Sequence, residues 1–374
     1  MIQVEGIFEG SSAPSLQSKS VTYTENGTAT ITSDEGYDGL SSVDVTVDVA
    51  GGGSGFPNGT EWTQSNITSG TVYSLYNSNG IWVVGSGNGL YYSTDGKTWT
   101  QSNITSGRIY SVYNANGIWV AGSNSGIYHS TDGMIWTQSN ITGKSINIVH
   151  NANGIWVAGS RSGLGVTLKG FYYSTDGKTW TKSNITSRHM FCVYNANGIW
   201  VAGGDNVGLC YSTDGKTWNQ SNITSGTAHS VYNANGIWVA GSSGAGLYYS
   251  TDGKTWTKSN ITSRHMFCVY NANGIWVAGS NNDGLYYSTD GKTWTQSNIT
   301  SISIGIVGSN KDLYYSNGIW VAGGNNGLYY STDGKTWTQS NITPTHMLCV
   351  YNANGIWVAG SDGNGPYYSV TWEA

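Results

Sequence analysis

Four short runs recur in a fixed order along residues 56–374, and each has the length and residue types of a strand. In one copy they read H-S-V-Y-N (229–233), G-I-W-V-A-G (236–241), G-L-Y-Y-S (246–250) and K-T-W-T-K-S (254–259). Runs of five or six residues, rich in aromatic and β-branched side chains and bounded by turn residues, predict strands. Asn-Ala-Asn-Gly links the first to the second, and Thr-Asp-Gly links the third to the fourth. Both place Gly where a tight turn requires a positive φ.

The set of four repeats around N-G-I-W-V, whose tryptophans are Trp82, Trp119, Trp156, Trp200, Trp238, Trp276, Trp320 and Trp357. Successive spacings are 37, 37, 44, 38, 38, 44 and 37 residues. A period near 40 with four strands per unit predicts an all-β fold, a β-propeller. Eight copies give eight four-stranded blades, with seven as the alternative. The fourth strand of the last blade has two candidates, Glu61-Trp62-Thr63-Gln64-Ser65-Asn66 at the front and Val370-Thr371-Trp372 at the back. The front segment is favoured, because it ties the two ends together and leaves no open sheet edge.

Ahead of the repeats the pattern changes. V-T-Y-T and A-T-I-T flank Asn26-Gly27, a hairpin signal, and V-D-V-T-V-D-V is a third alternating strand. Residues 1–50 are therefore expected to form a small β module, 51–55 a Gly-rich linker and 56–374 the propeller. Charge divides at the same place: residues 1–50 carry eight acids and one Lys, and residues 56–374 carry 13 acids and 15 Lys plus Arg. The nearly neutral body lacks the basic field of a nucleic-acid binder. No apolar run is long enough for a membrane-spanning helix, and MIQVEGIFEGSS is not an ordinary secretory signal.

Seven copies carry Ser-Thr-Asp-Gly-x-x-Trp, with the acid at Asp95, Asp132, Asp176, Asp214, Asp252, Asp290 and Asp333. The motif resembles the Asp-box of sialidase-like, sortilin-like and photosystem-assembly-factor-like propellers, shortened by one residue between Asp and Gly. Its aspartates are expected to be structural, accepting backbone N–H groups in their own turns, with the tryptophan packed between blades. L-Q-S-K-S-V-T (16–22) and G-Y-D-G-L-S-S-V-D-V-T-V (36–47) resemble a short module of phage and prophage tail and fibre proteins. That resemblance implies a virion protein, synthesised in the bacterial cytoplasm, whose residues 1–50 attach to other virion proteins. A homo-oligomer on the virion is left open.

Differences between copies collect on one expected face, where the 2–3 loops and 4–1 connections emerge. Both long insertions, Arg161–Lys169 in blade 3 and Ser301–Asn310 in blade 7, fall there. Blades 4, 6 and 8 share a further pattern: Arg188-His189 with Asp205, Arg264-His265 with Asp283, and Thr345-His346 with Asp362. Candidate ligand-binding residues on this variable face are Arg108, Arg161, Lys169, Arg188, His189, Asp205, Asn206, Arg264, His265, Asn281, Asn282, Asp283, Asn325, Asn326, His346 and Asp362. Loops on a rigid scaffold are where binding usually resides.

The expected function is a non-catalytic receptor-binding or host-surface glycan-binding adhesin. The alternatives are a structural decoration or spacer protein and a sialidase-like glycoside hydrolase. A sialidase needs an arginine cluster and a Tyr–Glu pair. This chain has four Arg, and the propeller's two Glu, Glu61 and Glu373, lie at its ends. No cofactor is expected. No metal is expected either, because His189, His265 and His346 sit in alternate blades, too far apart to share an ion. Cys192, Cys210, Cys268 and Cys349 form no CxxC pair and read as buried free thiols on inner strands. Eight Asn-Ile-Thr triplets, from Asn66 to Asn341, are formal glycosylation sequons and, in a bacterially made protein, plain polar loop residues.

Overall fold

The computed structural model describes residues 2–8, 15–21, 40–47, 59–160, 170–185, 189–305, 312–342 and 345–370. A division after residue 56 separates an N-terminal unit from a second unit, Pro57–Val370. In the first, Ile2–Phe8 is the central strand between Ser15–Val21 and Leu40–Val47, antiparallel to both. The third strand falls where alternation placed it, whereas Ile2–Phe8 was not anticipated. The expected Asn26-Gly27 hairpin and the 51–55 linker lie outside the described residues.

The second unit is an eight-bladed β-propeller, with no helix among the described residues. Each blade is an antiparallel sheet whose strands pair in sequence order; blade 1 runs Val72–Ser78, Ile81–Ser86, Gly89–Ser93 and Thr100–Gln101. Blade 8 takes Met347–Ala353, Ile356–Ser361 and Pro366–Val370 from the end of the repeats, and its fourth strand, Thr63–Gln64, from their start. Gln64 lies opposite Tyr367 and Thr63 opposite Tyr368. The front segment therefore closes the ring.

The local chemistry accounts for the regularity. The first and second strands join through two residues, both left-handed, as at Asn79 (φ 51°) and Gly80 (φ 80°). This is the turn whose twist matches a hairpin, and Asn tolerates that conformation better than other side chains. In each Ser-Thr-Asp-Gly turn the carboxylate accepts two backbone N–H groups. Asp95 Oδ1 accepts from Lys97 N at 2.8 Å and from Thr98 N at 2.7 Å, while the Ser93 hydroxyl donates to it at 2.8 Å.

The core lies between blades. One such layer packs Val120, Ile127 and Ile141 of blade 2 against Ile146, Val149, Trp156 and Trp180 of blade 3. Contact there is close enough to exclude side chains: a Cβ on Gly159 would sit 2.3 Å from the Cβ of Met190 in the next blade.

The Asn-Ile-Thr triplets are not plain polar loop residues. Each asparagine side chain holds both main-chain polar groups of a tryptophan in the following blade. Asn66 Nδ2 donates to Trp99 O at 3.0 Å, and Trp99 N donates to Asn66 Oδ1 at 2.8 Å. The same pairing joins Asn103 to Trp136, Asn140 to Trp180, Asn184 to Trp218 and Asn222 to Trp256. It continues through Asn260 and Trp294, Asn298 and Trp337, and finally Asn341 and Trp62.

Candidate functional site

Strand order places the variable loops at one end of every blade, beside the start of its first strand. The polar groups of this rim engage one another. Arg264 Nη1 donates to Asp283 Oδ1 at 2.8 Å, joining the lead-in and the 2–3 loop of blade 6. In blade 8, His346 Nδ1 lies 3.8 Å from Asp362 Oδ2, while Thr71 of blade 1 donates its hydroxyl to Asp362 Oδ1 at 2.8 Å. Asp205 accepts from Thr227 of blade 5 at 3.1 Å and from Asn206 at 3.0 Å. Ser303 of blade 7 donates to Asn281 at 2.8 Å and Asn282 at 3.0 Å. The shared pattern of blades 6 and 8 thus brings a basic side chain and a carboxylate together within a blade, and 2–3 loops bond to the next blade's lead-in.

The other rim candidates are placed separately. Arg108 is exposed, and its backbone N–H donates to Asn124 Oδ1 at 3.2 Å. His265 is exposed, and its carbonyl accepts from Asn281 N at 2.9 Å. Asn326 accepts the Tyr329 hydroxyl at 2.8 Å, and Asn325 is exposed. His189 is half-buried at the lead-in of blade 4. Arg161, Lys169 and Arg188 lie outside the described residues, as do residues 306–311 of the blade 7 insertion. Among the described residues, no cluster of three or more His, Cys, Asp or Glu side chains could hold a metal ion. All four cysteines are buried, and none is in a disulfide. Cys210 departs from the inner-strand expectation and sits on a third strand. Burial pushes the Cys192 thiol up to about 12.

The central channel holds a constellation the sequence reading missed. Tyr76, Tyr113, His150, Tyr194, Tyr232, Tyr270, Tyr314 and Tyr351, one from each first strand, form a closed ring. Neighbouring centroids are 4.7–5.9 Å apart. Each also meets edge-on the N-G-I-W-V tryptophan of the next blade, at 5.9–6.2 Å and 82–90°. Hydroxyls are hydrogen-bonded along the ring, Tyr76 with Tyr113, Tyr194 with Tyr232, Tyr232 with Tyr270, and Tyr314 with Tyr351. Burial raises these phenols: Tyr270 reaches about 12, helped by Tyr314, and Tyr113, Tyr232 and Tyr351 go higher.

Three residues toward the variable face, the first strand bulges. The extra residue is Tyr73, Tyr110, Asn147, His229, Phe267 or Leu348 in blades 1, 2, 3, 5, 6 and 8. A bulge aims a side chain away from the regular pleat. Tyr73 and Tyr110 meet at 5.6 Å; His229 is stacked on Phe191 at 5.6 Å and edge-on to Phe267 at 5.0 Å. Between these bulges and the tyrosine ring lies a cavity of about 310 Å³, lined by first-strand residues of seven blades. One signal in the sequence marked it: the bulge position changes in kind from copy to copy, while V-Y-N below it recurs in blades 2, 4, 5, 6 and 8.

No family model matches the chain, and no curated protein matches it. Solved structures share the architecture. The computationally designed protein Ika8 is similar at a TM-score of 0.66 and 11% identity, over 83% of this chain and 100% of that one. YCF48 bound to D1 peptide is similar at 0.54 and 17%, over 84% and 96%. An ancestral GH74 enzyme is similar at 0.55 and 16%, over 84% of this chain and 55% of that one. At these identities the likeness defines the class, a β-propeller. A peptide complex and a GH74 enzyme among the neighbours show how widely function varies on the fold.

Proposed function

We propose that the chain is a phage virion protein, of tail or fibre, that binds a bacterial surface carbohydrate or receptor through its variable face without catalysis. The observation that carries this reading is the contrast between the two parts of each blade. Clasps, turns and core repeat blade after blade, whereas the rim beside the channel differs in charge, size and hydrogen-bonding groups. The resemblance of residues 16–22 and 36–47 to tail and fibre modules supports the virion setting, with residues 1–50 facing other virion proteins. The Ser-Thr-Asp-Gly turns, similar to Asp-boxes, act as scaffold.

A non-catalytic role is supported by the state of the rim carboxylates. Asp283 is engaged by Arg264, Asp362 by Thr71 and His346, and Asp205 by Thr227 and Asn206. A glycosidase requires two carboxyls facing one bond at about 5–10 Å. Eight blades and several copies per particle would supply avidity from individually weak contacts.

The test is binding of the full chain to capsular and wall polysaccharides of the host, with product analysis of the same samples. Saturable binding that Arg188→Ala/Arg264→Ala abolishes, with no shortened sugar, is the expected result. Absence of binding to every host surface would favour a structural spacer, and released sugars would overturn the non-catalytic reading.

A further inference from the structure

The axial cavity has the attributes of a ligand seat. Its volume of about 310 Å³ stands at the lower end of the ~300–1,000 Å³ typical of small-molecule sites. Tyr73 and Tyr110 supply adjoining aromatic surfaces on one side, and Val193, Val231 and Val269 supply apolar surface on the other. The ring of Tyr76, Tyr113, His150, Tyr194 and their neighbours contributes hydroxyls and an imidazole at the end away from the variable face.

Asn147 forms part of one wall of the cavity and is 4% exposed. Nδ2 donates to Met190 O at 2.6 Å, which fixes the amide, and the amide oxygen has no hydrogen-bond partner. That oxygen is itself buried and offers no surface to the cavity. Asn147 also occupies the bulge position that carries aromatic residues in blades 1, 2, 5 and 6.

We propose that this cavity seats one neutral pyranose residue, the terminal unit of a surface glycan, against Tyr73 and Tyr110, with its hydroxyls toward the ring of Tyr76, Tyr113, His150 and Tyr194. The assignment rests on the glycan-binding reading above and narrows it. A pyranose offers an apolar C–H face for aromatic stacking and hydroxyls that both donate and accept, which matches a wall of rings and valines beside tyrosine hydroxyls. No Asp, Glu, Lys or Arg is among the described residues lining the cavity. A uronic or sialic acid would therefore bring in a carboxylate with no Lys or Arg beside it, at a large desolvation cost. The rim pairs Arg264–Asp283 and His346–Asp362 then serve the rest of the glycan, not its terminal residue.

The experiment uses the full chain, with D-glucose, D-galactose and N-acetyl-D-glucosamine as probes and D-glucuronate as the charged control. Binding is read by ligand-observed NMR saturation transfer and by calorimetry. At least one neutral sugar should bind and glucuronate should not. Loss of an aromatic stacking surface in Tyr110→Ala should weaken the bound sugar about tenfold or more. Tyr110→Phe, which keeps the ring, should fold like the parent and retain most of the affinity, so it guards against a variant that merely unfolds. If Tyr110→Ala folds and binds both sugar and polysaccharide normally, or if glucuronate binds best, the seat is wrong while the glycan reading stands. If neither monosaccharides nor any host polysaccharide binds, both fall.

Discussion

Asn341 holds Trp62 by both of its main-chain polar groups, across 279 positions of sequence. Trp62 N donates to Asn341 Oδ1 at 2.9 Å, and Asn341 Nδ2 returns a bond to Trp62 O at 3.1 Å. Seven equivalent clasps join the other blades; this one works with the Thr63–Gln64 pairing and with bonds such as Thr71 to Asp362 to link the front of the propeller to its end. Substituting Asn341→Ala leaves both groups of Trp62 without their partner, at a cost of about 1–3 kcal/mol. Asn222→Ala removes an equivalent clasp inside the continuous chain. The two should lower the denaturant midpoint similarly, and only Asn341→Ala should make residues near 60 susceptible to limited proteolysis of the native protein. Equal resistance of both variants would show that closure does not depend on the clasp.

Acid sensitivity between pH 7 and 5 should trace largely to His229. The ring is 3% exposed, stacked on Phe191, with Nε2 against the Ser243 hydroxyl. Burial, helped by nearby His265, pushes its pKa down to about 4. The unfolded chain protonates near 6.5, so stability is complete above that value and falls as pH drops toward 4. At pH 5 the loss is about 2 kcal/mol. His229→Phe should remove most of it, which denaturant titrations of both proteins at pH 7 and pH 5 will measure. An unchanged difference between the two pH values would assign the effect elsewhere.

The seven Ser-Thr-Asp-Gly turns act in a lower window. Burial raises the Asp214 carboxyl, but N–H groups of Thr217 and Lys216 and the Ser212 hydroxyl outweigh it, and the pKa falls below the ordinary Asp value. Asp95, Asp132, Asp176, Asp252, Asp290 and Asp333 behave alike. A depressed carboxyl contributes stability above the unfolded pKa and loses it as pH falls through the folded one. The melting temperature should therefore drop steeply below about pH 4. Asp214→Asn should lower it at pH 7 and flatten that drop; an identical acid profile would count against the turns as its source.

The propeller was legible because its strands, turns and period repeat, and each copy independently restates the same pattern. Closure by the front segment was legible for the same reason, since Trp62-Thr63-Gln64-Ser65-Asn66 is a fourth strand without its own blade. Ile2–Phe8 was missed because I-Q-V-E-G-I-F alternates only in part and has no turn signal before it. The Asn-Ile-Thr triplet looked like loop filler because its partner, the tryptophan of the next blade, is about 33–40 residues away and invisible to local pattern. The pairing of Arg264 with Asp283 was hidden similarly: both were named, but nothing in the chain showed that they meet. The channel escaped because Tyr76 and its equivalents sit in strands that alternation reads as ordinary.

That ring makes the last prediction. Tyr76, Tyr113, Tyr194, Tyr232, Tyr270, Tyr314 and Tyr351 crowd one another, and burial first, then their mutual charge and hydrogen bonds, hold several phenols well above the ordinary value of 10. Ionising one would place an anion among neighbouring phenols and against the tryptophan of the next blade. The unfolded chain loses these protons near pH 10, so stability is complete below that value and declines as pH rises toward the folded pKa of each group. Absorbance at 295 nm during a pH titration should show surface tyrosines ionising near pH 10, followed by a second, cooperative step that coincides with loss of the near-ultraviolet circular dichroism. Tyr232→Phe removes one of the ring's raised phenols and should move that step to higher pH. A single titration near pH 10 with the dichroism intact would mean that water reaches the ring freely, and that the channel is open where these aromatic contacts close it.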